Sequence, residues 1–317
     1  MPVKPSIVIV VPCYNEEEIL NVTIPTLLAT IDDMASENII DYEKSRLCLV
    51  DDGSQDKTWN IITNYSNKYE KVNGLKLSCN KGHQVALFAG LMESMDNFDA
   101  TISIDADLQD DPSKISDMVA FYRQGYEIVY GVRNDRSVDS FAKRSLANFF
   151  YKFMIFFGIK IVDGHADFRL VSKKALKELS RYSERSLFLR GMIPLLGFKS
   201  AKIYYSRMSR EKGVSKYPFR KSLSLAMDGI FSFSFKPLRY ISYVSVVFSL
   251  IAVIALIASI VQFVSGSVVP GWTSLIAVIT IIGSFQLVSI GILGEYLGRV
   301  YKEVKRRPYY HIDDKTS

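Results

Sequence analysis

The stretch "SIVIVVP" (Ser6 to Pro12) is apolar and rich in β-branched residues. A continuous run of that kind predicts a strand covered on both faces, as in a parallel sheet. It leads into "NEEEILNVTIPTLLATIDDM", where Ile19, Leu20, Ile24, Leu27, Leu28 and Ile31 recur at helical spacing. The alternation then repeats. "SRLCLVDDGS" reads as a buried strand ending in a polar turn, "DKTWNIITNYSNKY" as a helix, "NGLKLSCN" as a strand and "HQVALFAGLMESM" as a helix. "FDATISIDADLQ" is again a strand, "PSKISDMVAFYRQG" a helix with proline in its first turn, and "YEIVYGVR" a closing strand. The order predicts an α/β fold, a mostly parallel sheet with helices on both faces.

Beyond Arg133 the pattern changes. "SFAKRSLANFFYKFMIFFGI" and "KYPFRKSLSLAMDGIFSFSFKPLRY" are apolar and aromatic with basic residues interspersed. Amphipathic helices at a membrane interface look like this, and so do helices packed against a sheet. From Ile241 to Val264 about 24 residues carry no formal charge, and from Trp272 to Leu293 about 22 carry none. Each is long enough to cross a bilayer, and the short connector "SGSVVPG" makes them a hairpin. Lys236 and Arg239 precede the first, while Arg299, Lys302, Lys305, Arg306 and Arg307 follow the second. Basic flanks at both ends predict that both are cytoplasmic. The expected organisation is a cytoplasmic catalytic domain over residues 1–215, a juxtamembrane amphipathic segment over 216–239, two transmembrane helices over 240–298 and a basic cytoplasmic tail over 299–317. The opening apolar run is too short for a signal peptide and leads directly into acidic residues.

Composition changes this picture little. The chain has 317 residues, a net charge of +6 and three cysteines, Cys13, Cys48 and Cys79, at spacings that suit no metal site and a reducing compartment. The basic residues gather beside the apolar spans, so anionic lipid accounts for them and nucleic acid is not an expected partner.

Candidate chemistry lies where the strands end. In sheets of this kind ligands bind at the carboxyl ends of the strands. Here those ends read "PCYNEE", "DDGSQD", "NKGHQ", "DADLQD" and "GVRNDR", all polar or charged. Asp105 and Asp107 are two apart on an extended segment and should face the same way, which is costly unless a cation lies between them. Mg2+ takes carboxylate oxygens together with substrate phosphates. Asp51 and Asp52 admit two readings: turn and capping chemistry with Gly53 and Ser54, or carboxylates that meet a nucleotide's base or ribose. The absence of Gly-x-Gly-x-x-Gly after the first strand argues against a dinucleotide-binding oxidoreductase.

"PCYNEE", "VDDGSQDKT", the Asn80-Lys81-Gly82 turn, "DADLQDDP", "DFRL" and "KGVSKY" occur in an order that resembles family-two GT-A glycosyltransferases. Among these the chain looks most like the membrane enzymes that glycosylate polyprenyl phosphates, and the two C-terminal spans point to the bactoprenol glucosyltransferase branch. The resemblance covers nearly the whole chain and implies a GT-A, Rossmann-like domain. It also implies that Pro12, Tyr14 and Glu16 line a nucleotide pocket, with Asp52 facing the base and Asp51 supporting it. Asp105 and Asp107 would hold Mg2+ or Mn2+, and Gln109 would lie beside the metal or the sugar. Arg133 and Arg144 would meet the lipid phosphate, where general attraction to lipid headgroups is the other reading. Arg210, Lys212 and Lys216 would close over the diphosphate, a role for which Arg207 could replace Arg210. Asp167, near the acceptor, could orient it, handle a proton or serve only structure.

The implied reaction is inverting transfer of a hexose, with UDP-glucose the leading donor and GDP-mannose or UDP-GlcNAc the alternatives, onto undecaprenyl phosphate. A homo-oligomer, a tetramer among the options, is compatible with the resemblance. A processive synthase would need a Gln-x-x-Arg-Trp motif, and neither Trp59 nor Trp272 has that context. A non-catalytic membrane scaffold would have no need of the acidic pair and the arginines.

Overall fold

The computed structural model describes residues 4–133, 165–185, 187–206, 236–265 and 271–316. The first strand, β1 (Ile7–Cys13), is buried throughout, and its side chains serve both faces of the sheet. Ile7, Ile9, Val11 and Cys13 join one core, while Val8 and Val10 join the other. That division is why the sequence shows an unbroken apolar run instead of an alternation.

The chain continues through α1 (Leu20–Ser36), β2 (Arg46–Asp51), α2 (Thr58–Lys68), β3 (Val72–Leu77), α3 (His83–Ser94), β4 (Ala100–Ser103), α4 (Lys114–Arg123) and β5 (Ile128–Arg133). After the segment outside the described residues come β6 (His165–Ser172), α5 (Lys173–Leu179), α6 (Leu189–Leu195) and β7 (Ser200–Tyr205). The eight-stranded sheet has the order β7-β5-β6-β4-β1-β2-β3-β8, in which β8 (Ile312–Lys315) comes from the C-terminus. β1 pairs in parallel with β2 and β4, β2 with β3, and β5 with β7. β6 lies antiparallel between β4 and β5, and β8 runs antiparallel along β3. Helices α1, α2 and α4 cover one face; α3, α5 and α6 cover the other.

This order creates a switch point. From β1 the chain winds outward through β2 and β3, then crosses back to place β4 on the other side of β1. β1 and β4 lie side by side in parallel, so the loops at their carboxyl ends meet at one edge of the sheet, where open α/β sheets bind ligands.

Helices α7 (Lys236–Val264) and α8 (Trp272–Lys305) contain the two apolar stretches. Each has a window long and apolar enough to cross a membrane, with mean hydropathy 1.7 and 1.4 and none of either window buried. Phe248 and Phe285 stack between the two helices, ring centroids 4.9 Å apart.

The end of the chain is more than a tail. After α8 it turns back onto the catalytic sheet, where Tyr309 packs on Phe88 with centroids 5.0 Å apart and donates to the Glu184 carbonyl at 2.8 Å. Thr316 Oγ1 accepts from Gly74 N–H at 2.6 Å, and Lys315 pairs with Glu93 at 2.6 Å. With β8 on the sheet and Glu303 accepting Arg185 N–H at 2.7 Å, the C-terminal end of α8 is tied to the α/β domain. The interfacial segments expected over 140–159 and 216–239 lie outside the described residues, except for 236–239, which begin α7.

Candidate active site

The loops after β1 and β2 are tied to each other. Asn15, with φ +53°, donates its N–H to Ser54 Oγ at 3.0 Å and accepts from Gln55 N–H at 2.9 Å. Glu16 N–H donates to Thr58 Oγ1 at 2.9 Å, and Glu17 accepts from Lys57 N–H at 3.0 Å. These bonds leave Pro12 buried at the strand end, Glu16 half-buried and Tyr14 exposed at the crevice.

Asp51 and Asp52 differ in their partners. Asp52 accepts the N–H groups of Lys81 at 2.7 Å and Gly82 at 2.8 Å, one on each carboxylate oxygen. It thereby fixes the turn that starts α3. Asp51 is fully buried; Oδ1 accepts from Ser54 N–H at 3.1 Å, and Oδ2 has no partner. Burial raises both carboxyls above the ordinary range despite these bonds. The oxygen with spare capacity is thus on Asp51, not on Asp52. Gly53 makes the turn possible: at φ +66°, a Cβ there would lie 2.7 Å from Asn80 N and Cys79 C.

β4 stops at Ser103, so Asp105 and Asp107 occupy the turn beyond it and not an extended strand. The period-two argument for their common orientation therefore does not apply. What holds them is local: Leu108 at φ +48°, its N–H on the Asp105 carbonyl at 3.4 Å, and Gln109 N–H on Asp107 Oδ1 at 3.3 Å. The Asp105 side chain keeps 32% exposure, yet its Oδ1 is buried and makes no hydrogen bond. Desolvation first, then the neighbouring Asp167, Asp110 and Asp107, push its carboxyl up to about 6, with His83 opposing. Gln109 is buried beside this turn.

Asp110 and Asp111 also separate. Asp111 caps the next turn, accepting Ser113 N–H at 3.0 Å. Asp110 is buried and takes Arg133 Nη2 at 3.0 Å together with the Tyr205 hydroxyl. Arg133, expected at the lipid phosphate, is already engaged there.

Asp167 is 3% exposed and crowded with donors. Arg169 pairs with its Oδ1 from the same strand, Arg190 reaches both oxygens from α6 at 3.2 and 2.9 Å, and Gln84 Nε2 lies at 3.1 Å. His83 Nε2 bridges Asp167 Oδ2 at 3.3 Å and Asp105 Oδ1 at 3.6 Å. Burial opposes the Asp167 charge, but Arg190 and Arg169 hold its carboxyl well below the carboxylate range. Burial likewise opposes the His83 charge, and Asp167 and Asp105 raise that imidazole nonetheless.

Residues 8–180 match the family described as Glycosyl transferase family 2. The chain is a family 2 glycosyltransferase. It is 49% identical over 310 residues to the uncharacterized glycosyltransferase YkoT of Bacillus subtilis (strain 168), covering 98% of this chain and 92% of that protein. It is 36% identical over 309 residues to the bactoprenol glucosyl transferase of Shigella phage SfII, covering 97% of each. Among solved structures, glucosyl-3-phosphoglycerate synthase from Mycobacterium tuberculosis overlaps 72% of this chain and 77% of its own at 17% identity and TM-score 0.45, too loosely to carry an argument.

For this transferase a divalent cation is the implied cofactor, and Asp105 fits one: its buried Oδ1 makes no hydrogen bond, the His83 imidazole stands 3.6 Å from it, and burial and neighbouring carboxylates push the group up. Among the described residues no three His, Cys, Asp or Glu side chains form a metal cage. Arg144, Arg210, Lys212 and Lys216, with Arg207, lie outside the described residues. Sequence reasoning did not single out Arg169 and Gln84 within "DFRL" and "NKGHQ", and missed Arg190 and Tyr205 because no motif links "FLRG" or "IYY" to the acidic turn before the fold brings them together.

Proposed function

We propose that this chain transfers a hexose, glucose from UDP-glucose, onto undecaprenyl or another polyprenyl phosphate at the cytoplasmic face of a membrane. The observation that carries the proposal is its likeness to bactoprenol glucosyl transferases over 97% of the chain, a span that includes both apolar helices as well as the sheet. The return of β8 to β3 supports a matching topology, because it holds the chain that follows the helical pair on the domain that precedes it in sequence.

On this reading Pro12, Tyr14 and Glu16 flank the nucleotide, and Asp51 offers its unpartnered Oδ2 to it while Asp52 holds the Asn80-Lys81-Gly82 turn in place. Asp105 and Asp107 hold Mg2+ or Mn2+, with Gln109 beside them. When bound, that ion offsets the charge of the departing diphosphate as a Lewis acid. Arg133 and Arg144 serve the acceptor phosphate; Arg210, Lys212 and Lys216 serve the donor.

A phosphomonoester is largely dianionic near neutral pH, its second pKa being about 6. Its oxygen can form the bond to the anomeric carbon as the bond to the nucleoside diphosphate breaks, inverting that carbon, with no proton to remove. Asp167 therefore has no base to be. Held ionised by two guanidiniums, it orients Arg190, His83 and Gln84.

The test is transfer in vitro. Full-length protein is given undecaprenyl phosphate and, separately, labelled UDP-glucose, UDP-GlcNAc and GDP-mannose, with and without Mg2+ or Mn2+. Labelled lipid from UDP-glucose is expected. Label from another donor corrects the sugar, and no labelled lipid from any donor defeats the proposal.

A further inference from the structure

Two carboxylates in the site carry arginine partners, and their accounts differ. Asp110 meets one guanidinium, Arg133. Asp167 meets two. Arg169, 1% exposed, already supplies one positive charge for that one negative charge from the same strand. Arg190 brings a second from α6, an independent element, and His83 stands on the same Oδ2. Asp105, within reach of His83, offsets part of the surplus, but that relief ends once Asp105 is committed to a cation.

The geometry of Arg190 is that of a held fork. Nε donates to Asp167 Oδ1 at 3.2 Å and Nη2 to Oδ2 at 2.9 Å, so the guanidinium plane is fixed by both oxygens of one carboxylate. Nη1 makes no hydrogen bond among the described residues, and the side chain keeps 36% of its surface exposed. Arg169 is enclosed; Arg190 is open. A guanidinium with one edge fixed and another open is pre-oriented for an oxyanion, and planar charge-assisted contacts of this kind favour phosphate. A surplus cation beside a buried pair is also costly until an anion arrives.

We propose that Arg190 binds a substrate phosphate oxygen in this site. The inference rests on the transfer reaction proposed above, which brings two phosphate groups to the crevice: the donor's diphosphate and the acceptor's phosphomonoester. Asp167 sets the position of Arg190, and His83 links Asp167 to the acidic turn at Asp105, where both phosphates have to converge.

The experiment uses full-length protein with Arg190→Gln and Arg190→Lys. KM for each substrate, kcat, thermal stability and inhibition by inorganic phosphate and by pyrophosphate are measured. Loss of one charge-assisted contact predicts a KM increase of about 10- to 100-fold in Arg190→Gln, with partial recovery in Arg190→Lys. A rise in acceptor KM with weaker phosphate inhibition assigns the acceptor. A rise in donor KM with weaker pyrophosphate inhibition assigns the donor. Both KM values and both inhibition constants within twofold of wild type overturn the proposal, whatever happens to kcat or melting. If wild-type protein transfers no sugar, the reaction falls but the inference stays testable by calorimetric binding of pyrophosphate and phosphate, which Arg190→Gln must weaken at least tenfold. If Arg190→Gln does not fold, Arg190→Lys alone decides through the same constants.

Discussion

Replacing Asp167 with asparagine separates an orienting carboxylate from a catalytic base. The substitution keeps the size and removes the charge. It leaves Arg169, 1% exposed, without its counter-ion, and it turns an NH2 group toward donors that now meet an oxygen. Four side chains, Arg169, Arg190, Gln84 and His83, presently share two carboxylate oxygens; the amide offers one. At an effective dielectric of about 20, a unit pair at about 4 Å interacts by about 4 kcal/mol. Breaking a buried pair from one side costs about 3–5 kcal/mol. For a domain of this size each kcal/mol moves the melting temperature by about 2–4 °C, so Asp167→Asn should melt about 6–20 °C below wild type. Thermal unfolding of the detergent-solubilised full chain, followed by intrinsic fluorescence, measures this, with Asp111→Asn as a control expected to move it little. A fall of less than about 2 °C together with abolished transfer would refute the reasoning and make Asp167 a participant in proton transfer.

Other consequences follow from the same geometry. Gly53→Ala places a Cβ 2.7 Å from the Cys79–Asn80 backbone at a positive φ, and should cost about 2–4 kcal/mol and weaken UDP binding, read by melting and calorimetry. Asp105, pushed up to about 6 in the folded state from an unfolded value near 3.8, binds more protons folded than unfolded between those pH values. In the metal-free protein Asp105 should therefore contribute a loss of stability as pH rises from about 4 to 6, so wild type should fall relative to Asp105→Asn over that range, a difference that saturating Mn2+ with UDP opposes; melting curves of both at half-unit pH steps decide. Tyr309→Ala removes a ring packed on Phe88 and a bond to the Glu184 carbonyl, and should cost about 3–5 kcal/mol in unfolding measurements although the residue follows both apolar helices in sequence.

Much of the architecture could be read from the chain because its signals are local. β1 to β5 are short apolar runs punctuated by polar turns, and the helices between them repeat at 3.6 residues. The antiparallel insertion of β6 between β4 and β5 was not legible, since a strand's neighbours depend on the whole sheet and not on its own pattern. β8 was hidden for another reason: "HIDDKT" is polar, as an exposed edge strand can be, and its basic neighbours read as a tail. As candidates, Asp105, Asp107 and Asp51 stood out in the sequence because acidic residues at strand ends are conspicuous. That Asp52, and not Asp51, meets the Lys81 and Gly82 N–H groups was invisible, because it depends on how the β2 and β3 turns approach each other. Arg190 was missed because it lies 23 residues from Asp167 in a segment with no motif of its own.

The account stands on the acidic turn after β4 serving transfer to a lipid phosphate. Its most direct test is a single-turnover measurement of labelled undecaprenyl-phosphate product from UDP-glucose, with wild type and Asp105→Asn side by side, in Mn2+ and then in excess EDTA. The account predicts labelled lipid from wild type in Mn2+, and a fall of at least about a hundredfold on chelation or substitution. Product formed at the wild-type rate by Asp105→Asn, or in EDTA, would contradict it.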